Sequence, residues 1–164
     1  GFGNGGHLPY LFAQDDNLHY TGIERSEEML LRAREQYMPL IEQGKAVFLK
    51  ATEGAMPRLP EEAFEVFFSV NTYYFIQDLR GYFERLYPML TRGGRLALGY
   101  IDKDFGERMP FTKEVFTFYT NEQIGQWLLE VGFSSFGISS YTEEIFSKNG
   151  RTVTRPFHIA MAIK

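Results

Sequence analysis

The sequence predicts an α/β fold: a doubly wound, mostly parallel sheet that closes on an antiparallel final strand. Three observations predict it. Apolar runs of strand length alternate with helical stripes, the order that gives a parallel sheet with helices on both faces. A glycine-rich loop at residues 1–6 stands ahead of the first helix, as at a ligand-binding crossover. The last two strand-like runs have a turn and no helix between them, so they pair antiparallel. The loop has no strand ahead of it, so the first strand is expected upstream of residue 1.

The elements follow in order. A short helix starts near His7, with Pro9 tolerated in its first turn. Residues 18–24 read as a strand ending on Glu24. Ser26 caps the next helix, whose stripe is Met29, Leu30, Ala33, Tyr37 and Leu40, and Gly44 stops it. A strand is expected at 46–50, then a loop or short helix at 52–63, broken by Pro57 and Pro60. Residues 64–70 are nearly all apolar, as in a strand buried on both faces. A loop at 71–76 leads to a helix at 78–90, which Pro88 ends or kinks. Arg92, Gly93 and Gly94 form a tight turn before a strand at 95–101. Residues 102–119 form an irregular, aromatic excursion: a lid over substrate, or a loop packed on a helix. Thr120 and Gln123 fit a capping box for a helix that carries Ile124, Trp127, Leu128 and Val131 and stops at Gly132. Strands at 133–141 and 157–163 flank a polar turn region centred on Asn149 and Gly150.

Composition narrows the function. The 164 residues fit one domain, 1–164. A net charge of −4 and the lack of a basic tract argue against a nucleic-acid partner. With no cysteine, disulfides, Cys–zinc sites and thiol nucleophiles are excluded, which is compatible with a cytoplasmic protein. No run of 18 apolar residues exists to span a membrane. The three histidines, His7, His19 and His158, lack metal-ligand spacing, so no metal is expected.

The chemistry rests on the loop and an acid. Gly1, Gly3 and Gly6 fit GxGxxG, and Gly1, Gly3 and Gly5 fit GxGxG. Glu24 ends the next strand about 20 residues on, where a carboxylate grips ribose hydroxyls. The alternative is an exposed strand-end carboxylate. Loop and acid do not separate a dinucleotide from S-adenosyl-L-methionine. His7 adjoins the loop and serves as a cap, a cofactor contact or a base; His19 and His158 read as packing. Tyr73 and Tyr74 follow the strand at 64–70, where they line a substrate pocket or pack the core, and Phe75 reads as core.

Taken whole, the chain resembles the class I S-adenosylmethionine-dependent methyltransferases, of the small-molecule type related to ubiquinone/menaquinone methyltransferases. Gly1, Phe2, Gly3, Asn4 and Gly5 look like the back half of the family's first motif, which contacts the methionine part of the cofactor. Residues 20–29, ending at Met29, look like the second motif, with Glu24 on the ribose and Arg25 beside the adenine; the family more often has aspartate at the acid. Thr52, Glu53 and Gly54 resemble the region flanking adenine. Residues 69–75, with Asn71, resemble the motif beside the methyl group. Residues 90–96 resemble the family's leucine-x-proline-glycine-glycine turn, with Arg92 in place of proline, and 119–133 the late helix. The resemblance implies a Rossmann-like methyltransferase sheet and methyl transfer to a small-molecule acceptor; His7, beside the loop, and Tyr73 and Tyr74, past a strand's carboxyl end, are expected in the substrate pocket. It identifies no catalytic base. An NAD(P)-dependent oxidoreductase and a noncatalytic cofactor-binding protein remain the alternatives.

Overall fold

The structure, a computed structural model, describes residues 1–52, 56–109, 112, 115–146, 150 and 152–164. The chain divides into two compact units, Gly1–Arg58 and Leu59–Lys164.

The first unit contains α1 (Leu8–Phe12), β1 (Tyr20–Glu24), α2 (Glu27–Gln36), α3 (Met38–Glu42) and β2 (Ala46–Lys50). β1 and β2 pair in parallel, from Tyr20 opposite Ala46 to Glu24 opposite Lys50. β1 starts two residues later than the sequence suggests, because its partner strand begins opposite Tyr20. Ser26 caps α2 by accepting the N–H of Met29, and Glu27 and Glu28 complement the helix dipole in the first turn. The single helix expected from Ser26 to Gly44 is two. Tyr37 leaves helical geometry (φ −111°, ψ 24°), and α3 restarts with Pro39 in its first turn, where proline's missing N–H costs nothing. Leu8, Tyr20, Leu30, Ala33, Tyr37, Ala46 and Phe48 form the core of this unit.

The second unit contains β3 (Phe64–Val70), a 3₁₀ turn (Tyr73–Phe75), α4 (Leu79–Leu86), a second 3₁₀ turn (Tyr87–Met89), β4 (Leu90–Ile101), α5 (Lys103–Glu107), α6 (Asn121–Val131), β5 (Ser135–Phe146) and β6 (Thr152–Ile163). The strand order is β3-β4-β6-β5. β3 and β4 are parallel, and β6 is antiparallel to both β4 and β5. The expected antiparallel closing pair is therefore present. The described strands form two sheets rather than the one expected, and the final strand lies between β4 and β5.

β3 is also not buried on both faces. α4 and α6 supply Leu79, Phe83, Leu86, Ile124 and Leu128 to one buried layer, and Leu96 and Leu98 of β4 with Ala160 and Ala162 of β6 are buried on one sheet face. On the other face Val66, Phe68 and Val70 align with Met161 and Ile163, and all five are exposed.

The expected helix at 78–90 ends at Leu86, and Pro88 sits in the 3₁₀ turn that follows. The expected turn at 92–94 is absorbed into β4 as a register shift between Phe64 and Val66. β5 and β6 run further into the polar region than expected, to Phe146 and Thr152. Asn149, at the expected hairpin turn, lies outside the described residues. The excursion at 102–119 holds α5, capped by Asp102, and packs Phe116 and Phe118 on Tyr74. No helix of the described residues is long and apolar enough to cross a membrane.

Candidate functional site

In the first unit the glycine loop turns on two left-handed residues, Gly3 (φ +60°) and Gly5 (φ +73°). Only glycine adopts that geometry without steric cost. Gly5 N–H donates to Phe2 O at 3.1 Å, and Leu8 N–H donates to Gly5 O at 2.9 Å, which carries the turn into α1. The Tyr37 hydroxyl donates to the same Gly5 carbonyl at 2.8 Å. A Cβ on Gly5 would lie 2.7 Å from the Tyr37 ring. The sequence offered Tyr37 only as a member of the apolar stripe of α2.

The loop and the acid meet directly. Gly3 N–H donates to Glu24 Oε2 at 2.9 Å. The N–H groups of Arg25 and Ser26 donate to Oε1 at 2.8 and 2.9 Å. Burial opposes the charge of Glu24, but the backbone donors outweigh it and hold the carboxyl below its usual range. Asn4 Oδ1 accepts from Gly6 N–H at 3.1 Å. His7 Nε2 lies 3.2 Å from the Tyr20 hydroxyl. Burial lowers the His7 pKa and raises that of Tyr20, so both are neutral at pH 7.

Arg25, Lys50, Ala51 and Thr52 line an open concavity of about 600 Å³. Glu27 pairs with Lys50 beside it. A second concavity, of about 480 Å³, is lined by Asn4, Arg32, Glu35 and Gln36. Gly1 is exposed and Met29 half-buried; Glu53 and Gly54 lie outside the described residues.

In the second unit Asn71 follows β3 with φ +54°, a conformation asparagine tolerates better than most side chains. Its N–H donates to Gly99 O at 2.8 Å, and its Oδ1 accepts the Tyr74 hydroxyl at 3.0 Å. Tyr74 Oη in turn accepts Ile101 N–H, and burial pushes this phenol up to about 12. Tyr73 and Tyr74 are each 3% exposed. The Tyr73 ring packs on Tyr74, Tyr100 and Tyr119, with centroids 4.4, 5.0 and 5.9 Å away. Its buried hydroxyl has no hydrogen-bond partner among the described residues. Phe75, read from the sequence as core, is exposed and edge-on to Phe116. Among the described residues no group of three or more His, Asp or Glu side chains could hold a metal ion.

A family model described as a methyltransferase domain matches residues 1–98. Among solved structures, an S-adenosylmethionine-dependent methyltransferase of Thermotoga maritima is 21% identical, with a TM-score of 0.67, covering 100% of this chain and 79% of that one. Phosphoethanolamine N-methyltransferase 2 of Haemonchus contortus, in complex with S-adenosyl-L-methionine, is 16% identical with a TM-score of 0.76; the match covers 100% of this chain and 47% of that one. The [4+2]-cyclase SpnF is 16% identical with a TM-score of 0.70, over 100% of this chain and 73% of its own. No curated protein matches by sequence.

Proposed function

We propose, because this chain belongs to the methyltransferase domain family, that it transfers the methyl group of S-adenosyl-L-methionine to a small-molecule acceptor. The observation that carries this reading is the hydrogen bond from Gly3 N–H to the Glu24 carboxylate. It joins the two features a ribose-bearing cofactor needs, a backbone loop open to close approach and an anionic strand end. The donor set fits such a group. Glu24 Oε2 accepts only the Gly3 N–H among the hydrogen bonds described, and a carboxylate oxygen accepts about two, so capacity remains for a ribose hydroxyl.

Gly1, Gly3, Asn4 and Gly5 back the methionine part, and Glu24 holds the ribose. Arg25, Met29 and Thr52 flank the adenine, consistent with a concavity at Arg25 and Thr52. Its likeness to the family's post-strand motif assigns Asn71 to the methyl end of the cofactor. When bound, the cofactor supplies a sulfonium methyl whose leaving group is already good. The protein's task is then to align the acceptor and exclude water. By their places in the sequence, His7 after the glycine loop and, separately, Tyr73 and Tyr74 after β3 are assigned to the acceptor side. Neutral His7 is able to take a proton from an acceptor that must lose one. The finer reading is an acceptor like those of the ubiquinone/menaquinone methyltransferases.

Isothermal titration with S-adenosylhomocysteine and with NAD tests the cofactor. Tight binding of the first and none of the second is expected; the reverse sinks the reading. Because the fold neighbours include a cyclase, transfer of labelled methyl to an acceptor panel that includes quinol-type rings tests the chemistry separately.

A further inference from the structure

The four-stranded sheet carries a row of polar side chains outside the residues assigned to the cofactor. Tyr100 of β4 stands opposite His158 of β6, and His158 stands opposite Ser140 of β5. Residues opposite one another across a sheet share a face. His158 Nδ1 lies 2.9 Å from Ser140 Oγ, and His158 Nε2 lies 3.2 Å from Asp102 Oδ2. Asp102 directly follows β4, and its other carboxylate oxygen accepts Phe105 N–H at 3.0 Å. The carboxylate is thus held from two sides. The Tyr100 ring lies beside the imidazole, with centroids 5.4 Å apart. His158 is 8% exposed, whereas Ser140 is open to solvent.

The protonation pattern follows from these contacts. Burial works against the charge of Asp102, but the Phe105 N–H and His158 hold its carboxyl below the usual range. It is an anion at neutral pH, and an anion only accepts hydrogen bonds. The tautomer these contacts favour carries its proton on Nε2, toward Asp102, and presents the Nδ1 lone pair to the Ser140 hydroxyl. A hydroxyl facing an imidazole that a carboxylate orients is the general form of an activated serine. The reactive end is the exposed one.

We infer that Asp102, His158 and Ser140 form a relay that makes Ser140 a nucleophile toward activated acyl and phosphonyl esters, an activity separate from methyl transfer. Ser140 Oγ bonds to the acyl carbon, and its proton passes to His158 Nδ1. The bond to the leaving phenol breaks, and that proton goes to the departing oxygen. A water then gives its proton to His158 Nδ1 and bonds to the acyl carbon, the bond from that carbon to Ser140 Oγ breaks, and His158 returns the proton to Ser140 Oγ as the acid leaves. The relay itself supplies only the base, so its substrates are esters whose leaving groups depart readily.

The test treats the full chain with a fluorophosphonate probe and maps the adduct by peptide mass spectrometry. p-Nitrophenyl acetate hydrolysis is followed alongside. The adduct is expected on Ser140 and absent in Ser140→Ala, with the acetate activity lost in step. His158→Gln keeps hydrogen-bonding capacity but removes the base, and slows labelling about 100-fold. Asp102→Asn slows it in the same direction and stands in if His158→Gln does not fold. Ser139, exposed on the same strand, is the internal control. No adduct on Ser140, equal labelling of Ser139, or unchanged rates in both relay variants overturns the inference. Titration of the same samples with S-adenosylhomocysteine reads the methyltransferase proposal independently, since Ser140 has no part in it.

Discussion

At Glu24, three backbone N–H groups converge on one carboxylate, one from the glycine loop and two from the entry to α2. Removing that carboxylate should loosen the loop and cost cofactor affinity. Hydrogen bonds to charged groups are worth about 1.5–3 kcal/mol, so Glu24→Ala should weaken S-adenosylhomocysteine binding by about 10-fold or more in a titration. The carboxyl is held below its usual range in the fold. Its stabilising contribution is therefore fully present above the ordinary glutamate value and is lost as pH falls through the depressed folded value. The gap in thermal midpoint between the wild type and Glu24→Gln should accordingly close as the pH is lowered through that region. Gly5→Ala must place a Cβ at φ +73° and 2.7 Å from the Tyr37 ring. It should destabilise the protein by about 1–3 kcal/mol in urea denaturation. The loop-and-acid pair was legible because both parts are local patterns at a fixed spacing. The Tyr37 hydroxyl on Gly5 and the partners of His158 were not, because each contact depends on how distant segments align in the fold.

Elements whose ends are written in local chemistry were read well. α6 starts and stops where the sequence says. The Thr120 hydroxyl accepts Gln123 N–H at 3.2 Å, the Gln123 side chain accepts Thr120 N–H at 2.9 Å, and Gly132 closes the helix with φ +117°. Thr120→Ala removes one side of that box and should cost about 1 kcal/mol, read as a lowered thermal midpoint. The helix expected across Tyr37 failed for the converse reason. An apolar stripe continues through residues 38–41, but the Pro39 backbone interrupts the helical ladder. β3 was misread because an apolar run records that a strand is hydrophobic, not how many of its faces are covered.

Across the whole molecule, alternation of strand and helix announced the α/β class, while nothing in the alternation says where the last strand inserts. The four-stranded sheet presents two unlike faces, and substitutions should separate them. Leu98, buried on the helix-covered side, should cost about 2–5 kcal/mol when changed to alanine. Val66 is 55% exposed on the other side, and Val66→Thr should stay within about 0.5 kcal/mol. Urea denaturation of the two variants beside the wild type checks both figures.

The insertion of β6 between β4 and β5 also dictates the route by which the sheet assembles. Among the described residues β5 pairs with β6 and not with β4. The two are neighbours along the chain, so their pairing spans a small sequence separation and closes quickly at small entropic cost, whereas β6 must search across α5 and α6 to find β4. The hairpin should therefore form first and dock as a unit. In pulsed hydrogen exchange during refolding, the amides shared by β5 and β6 should gain protection before those shared by β4 and β6; protection of the β4–β6 bonds first would show that β5 is added last, one strand at a time.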